Sequence, residues 1–121
     1  KPPNILVLSR QGQPWPVLID FGLAHAAGYP ETPVGGTPAF MAPELLERMG
    51  TRPTPQSDLY SLGKCFEGAA ARSRNSPLGR LVARMIKVRR DARPASAAAS
   101  AATRAFSASF STRRGATASL R

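Results

Sequence analysis

The sequence predicts a mainly α-helical chain with one small β-hairpin near its start. Two short apolar runs rich in β-branched residues lie close together among the first twenty positions. Farther on, apolar residues recur at helical spacing in two separate stretches. Between these regions runs a stretch rich in glycine and proline with little periodicity.

The hairpin is predicted from Ile5–Leu8 and Pro16–Ile19, joined by the polar segment from Ser9 to Trp15 with its Gly12 and Pro14. An antiparallel pair sets the start of its first strand beside the end of its second. Asn4 and Asp20, 16 positions apart, are therefore expected to be neighbours. Residues 21–43 read as a long loop, a kind of segment that in compact domains is usually functional or disordered. A short helix over Pro43–Gly50 follows, with proline and Glu44 at its start and glycine at its end. Ser57-Asp58 offers capping chemistry for the next helix, in which Leu59, Leu62, Phe66 and Ala69 recur at helical spacing. The segment 71–77 breaks that pattern. Leu78, Leu81, Val82, Met85 and Ile86 then mark another amphipathic helix, with Arg80, Arg84 and Lys87 on its wet side. After Pro94, the alanine-rich segment Ala95–Phe106 is helix-prone. Residues 107–121, mostly Ser, Ala, Thr and Arg, read as a disordered basic tail. No internal repeat is visible.

The 121 residues suffice for one small domain. The net charge of +10 is unevenly spread. Lys1, Arg10, Arg48 and Arg52 face five acids in residues 1–60, a net of −1, whereas residues 61–121 set 13 basic residues against Glu67 and Asp91. Such a basic half invites thoughts of nucleic acid or anionic membranes. A solvated helix face followed by a basic tail accounts for it more simply, and without interleaved aromatics or a reading motif no specific nucleic acid is expected. Cys65 is the single cysteine, which fits a reducing compartment and a cytoplasmic setting. No apolar run approaches the roughly 20 residues of a membrane span.

Several short strings occur in a fixed order. They are Lys1-Pro2-Pro3-Asn4, Asp20-Phe21-Gly22, Gly36-Thr37-Pro38 running into Ala42-Pro43-Glu44, Ser57-Asp58-Leu59-Tyr60-Ser61-Leu62-Gly63, and Arg89-Arg90-Asp91-Ala92-Arg93-Pro94. Each alone is weak. In this order they resemble the protein kinase family, serine/threonine type, from the end of its catalytic loop to its last helices. The resemblance covers residues 1–106 and implies the C-terminal lobe of a kinase-like α+β parent fold.

It also implies chemistry. Phosphoryl transfer from ATP needs the triphosphate neutralised by metal ions and aligned with the acceptor hydroxyl. Mg2+ takes hard oxygen ligands, and Asn4 and Asp20 match the pair that holds it. Lys1 matches a lysine that contacts the γ-phosphate. Thr37 matches a threonine that hydrogen-bonds towards the catalytic aspartate and lysine. Gly22 would give the turn after Asp20 its freedom. Glu44 and Arg93 match a buried ion pair tying the activation segment to the late helices, and Asp58 matches an aspartate that holds the backbone of the catalytic loop. Thr32 is the candidate phosphorylation site between Asp20 and Glu44. The expected partners are a protein substrate and the N-terminal kinase lobe.

The sequence also departs from the family. The glycine-rich loop, the phosphate-binding lysine of the small lobe and the His-Arg-Asp that should precede Lys1 do not occur in it. The 121 residues alone are accordingly expected to be inactive. Only 35 positions separate Asp58 from Arg93, where the family usually fits a further helix and loop. Two other readings fit parts of the sequence: a pseudokinase or truncated scaffold, against which the retention of Lys1, Asn4 and Asp20 argues, and a basic nucleic-acid-binding module.

Overall fold

A computed structural model describes residues 1–24, 35–47 and 51–95. The segment holding Thr32, the last positions of the helix expected at 43–50, nearly all of the alanine-rich helix and the tail lie outside the described residues. The fold begins with a 3-10 turn, Pro2–Asn4, and two antiparallel strands, β1 (Ile5–Arg10) and β2 (Gln13–Leu18). A second 3-10 turn, Pro38–Phe40, precedes the helices α1 (Pro43–Glu47), α2 (Pro55–Ala71) and α3 (Pro77–Met85). A third 3-10 turn, Arg90–Ala92, follows them.

The hairpin runs in the register Ile5↔Leu18 to Arg10↔Gln13. Its strands are longer than the sequence suggests, and the expected polar loop shrinks to Gln11-Gly12. Both residues have positive φ, 51° and 73°. Two such residues make a turn whose twist matches that of the paired strands. The prolines of β2 fit because of the ladder's parity. The Ile19 N–H donates to the Asn4 carbonyl, so the hydrogen-bonded pairs alternate from there as Leu6 with Val17 and Leu8 with Trp15. Pro14 and Pro16 fall at the intervening positions, where no ladder N–H is required.

Helix α2 starts earlier than Ser57-Asp58 suggests. Its N-cap is Thr54, with Pro55 in the first helical position. The Ser57 N–H donates to Thr54 Oγ1 and the Thr54 N–H donates to Ser57 Oγ, a reciprocal cap. Ser57 is thus part of the cap, whereas Asp58 lies one residue beyond it. Ser76 caps α3 through the Gly79 N–H, again ahead of a proline.

The core lies between α2 and α3. Its buried apolar residues are Leu59 and Ala70 on α2 and Val82 and Met85 on α3, and Ala42, just before α1, is buried as well. On α3, Gly79, Val82 and Met85 recur every three positions on the buried side, and Arg80 and Arg84 face water. The helices pack closely at Gly63, where a Cβ would come within 2.8 Å of Ile86 Cγ2 and 2.9 Å of Met85 Cβ. Their connection is equally tight. A Cβ at Gly79 would collide with the Ser73 and Arg74 carbonyl oxygens. Five residues, Arg72–Ser76, suffice to turn the chain between helices.

Candidate active site

The open end of the hairpin brings Asn4 and Asp20 together. Asn4 Nδ2 donates to Asp20 Oδ2 at 3.1 Å. Two backbone features fix this contact. The Ile19 N–H to Asn4 carbonyl bond, 3.0 Å, extends the ladder past the end of β2. Asp20 itself turns the chain with φ of 66°, a left-handed conformation that aspartate tolerates better than most residues. The Asp20 side chain is exposed and its other oxygen, Oδ1, would be an ordinary 3.6 Å from a Cβ on Gly22. Gly22 has no positive φ here, so its part in the turn does not depend on left-handed freedom. The turn continues with the Ala24 N–H donating to the Phe21 carbonyl.

Lys1 is exposed at the start of the first 3-10 turn, and its carbonyl accepts from the Asn4 N–H at 2.9 Å. It thus stands one tight turn from Asn4. Thr37 is exposed and begins the turn Pro38–Phe40, where its carbonyl accepts from the Phe40 N–H. Its side chain bonds neither Lys1 nor Asp20. The catalytic aspartate towards which the family pattern points this threonine precedes Lys1 in that pattern.

Glu44 and Arg93 meet in a two-pronged ion pair, with Nη1 to Oε1 and Nη2 to Oε2 both 2.8 Å. The Arg93 side chain is fully buried. Its remaining N–H groups reach the carbonyls of Lys87, Gln56 and Val88, so one guanidinium ties α1, the start of α2 and the segment after α3. The Tyr60 ring lies against it, 4.8 Å from the guanidinium carbon. Burial raises the Glu44 pKa, but the hydrogen bonds and charge of Arg93, with help from Arg90, prevail and leave it lowered. Asp58 accepts no hydrogen bond from a described residue, and desolvation raises its pKa. The catalytic-loop backbone it is expected to hold precedes Lys1 in the family pattern.

Sequence reasoning missed Thr54 and Tyr60. Thr54-Pro55 with a hydroxyl three residues on is a recognisable cap signature. Nothing local marks Tyr60, whose partner is 33 positions away.

The hairpin mouth pairs a carboxamide with a carboxylate ahead of the helices, and comparison with known proteins gives the class. The model of the protein kinase domain matches residues 1–77. The chain belongs to the protein kinase family, serine/threonine type. It is similar to the serine/threonine-protein kinase PknK of Mycobacterium tuberculosis, in two strains, and of Mycobacterium bovis, at 46% identity over 95 residues in each case. These matches cover 73% of this chain and 8% of the relatives' length. No solved structure matches the chain significantly. The family match ends as α3 begins, so Arg93 lies beyond it. No helix among the described residues is long and apolar enough to cross a membrane.

Proposed function

We propose that the chain is the C-terminal-lobe part, residues 1–106, of a kinase whose parent protein transfers the γ-phosphate of ATP to Ser/Thr hydroxyls of proteins. The observation that carries this reading is the Asn4–Asp20 contact at the hairpin mouth. One carboxylate and one amide oxygen suit Mg2+, which usually takes one or two protein oxygens and completes its shell with phosphate oxygens and water. When bound, Mg2+ neutralises charge on the transferring phosphoryl group. Asp20 and Asn4 would hold it, giving up their mutual hydrogen bond. Lys1 would meet the γ-phosphate, and Thr37 would hydrogen-bond towards the catalytic aspartate and lysine.

The role of the Glu44–Arg93 pair in this reading is to fix the end of the activation segment against α2 and α3. Thr32 would be a modification site within that segment. The apolar surface of the hairpin supports a missing covering lobe. Val7 and Leu18, on one face of the hairpin, are each more than half exposed, as are Leu8 on the other face and Phe21 beyond the hairpin, and a lone two-stranded hairpin is marginal by itself. An N-terminal kinase lobe would cover that surface and supply the nucleotide roof. Without it the 121 residues are expected to transfer no phosphate. A cytoplasmic setting fits the free thiol of Cys65.

The test uses the parent protein, radiolabelled ATP and Mg2+ with a protein substrate. Asp20→Asn tolerates the same backbone, so it should fold while losing about a hundredfold or more in rate. Asn4→Ala should raise the Mg2+ concentration needed for half-maximal rate. An Asp20→Asn protein within a few-fold of the unaltered rate would overturn the assignment.

A further inference from the structure

We propose that the outer face of α3, with the loop leading into it, docks an acidic peptide segment of a partner protein. No acidic residue occurs between Glu67 and Asp91. In that interval Arg72, Arg74, Arg80, Arg84, Lys87 and Arg90 are all exposed. Arg89 is the member that pairs with a carboxylate, that of Asp91. Arg80 donates to the Asn75 carbonyl, a neutral acceptor. Arg90 lies near enough to Glu44 to help lower its pKa but forms no ion pair with it. Six exposed positive charges within this stretch therefore have no carboxylate partner among the described residues, and their mutual repulsion favours an anion from elsewhere.

The layout gives the anion a shape. On α3, Arg80 and Arg84 lie about one turn apart, opposite the buried Gly79, Val82 and Met85, and Lys87 follows two residues past the end of the helix. Arg80 and Arg84 are about 6 Å apart along the helix. Alternate side chains of an extended peptide recur at about 6.6 Å, so glutamates or aspartates two apart would match this stripe. Val88, 69% exposed, stands among Lys87, Arg89 and Arg90 and would meet an apolar residue flanking the acids.

Two other polyanions fit less well. No aromatic residue occurs from 67 to 105, which leaves a nucleic acid no platform for base stacking. The buried side of α3 is packed on α2, leaving Val88 nearly alone to enter a lipid surface. The proposal stands on the charge layout and not on phosphoryl transfer, so an inactive chain can still show it.

The experiment is fluorescence anisotropy of the whole 121-residue chain with a fluorescein-labelled peptide of alternating glutamates around a central leucine. Binding should weaken steeply between about 0.05 and 0.2 M salt. The triple substitution Arg80→Gln, Arg84→Gln, Lys87→Gln should weaken it about tenfold or more, with helicity retained by circular dichroism. Arg113→Gln with Arg114→Gln, in the tail, should change it less than about twofold. If the triple variant does not fold, Arg84→Gln alone should cost about threefold. Unchanged affinity in the folded variants, no binding at low salt, or equal or tighter binding of an oligothymidylate of the same charge or of anionic vesicles would each overturn the proposal.

Discussion

Glu44 and Arg93 are 49 positions apart and are joined by two parallel hydrogen bonds of 2.8 Å, with the arginine side chain wholly buried. The pair closes the fold at a place no local signal could close. Arg93→Ala removes the partner of Glu44 and leaves three backbone carbonyls short of a donor. It should lower the unfolding free energy by about 3–5 kcal/mol, measured by urea denaturation. Arg93→Lys keeps the charge but not the fork, and should recover only part of that loss. A loss below about 1 kcal/mol for Arg93→Ala would show that the pair contributes little.

Acid should weaken the fold through the same pair. The Glu44 pKa is lowered on folding, against the burial that would raise it, by Arg93 and Arg90. Its contribution is therefore fully present above the unfolded value, about 4.3, and is lost as pH falls through the lower folded value. Asp91, paired with Arg89, shifts in the same direction. Asp58 shifts the other way, because desolvation raises its pKa. Stability measured from neutral pH downwards should fall, and Asp58→Asn should make the fall steeper by removing the opposing group. A shallower fall in Glu44→Gln than in the unaltered chain would confirm the source, and an equal fall would rule it out.

Two glycines of one helix should respond oppositely to alanine. A Cβ at Gly63 would press on Ile86 and Met85, while at Gly68 it would meet nothing within 4 Å. Gly63→Ala should cost about 1–3 kcal/mol through overpacking. Gly68→Ala should gain up to about 1 kcal/mol from helix propensity. Thermal melts of the two variants decide the matter, and a stabilised Gly63→Ala chain would mean that α2 and α3 do not approach as described.

The hairpin turn offers a small gain. Gln11 has φ of 51°, a strained value for its side chain. Asn-Gly is the preferred pair for such a turn. Gln11→Asn should raise the melting temperature, with a gain of no more than about 1 kcal/mol. A lower melting temperature would argue against the two-residue turn.

Much of the site was legible in the sequence because its parts are local. The strands announce themselves by β-branched runs, and antiparallel pairing alone puts Asn4 beside Asp20. The turn was less legible. Gln11-Gly12 is not a strong turn pair, and Pro14 and Pro16 argue for a loop until the ladder's parity shows that neither needs an N–H. The start of α2 was misplaced because Ser57-Asp58 has capping chemistry of its own, and the reciprocal bond from Thr54 settles which residue is the cap.

Sequence alone determined the hairpin, the three described helices, their order and the convergence of Asn4 with Asp20, since propensity, periodicity and strand pairing act over short stretches of chain. Tertiary structure decided which carbonyls share the Arg93 guanidinium, its cover by Tyr60, and the need for glycine at 63. Those depend on surfaces that meet only after the chain has folded, where low dielectric and close packing, rather than local preference, determine which side chains can stay.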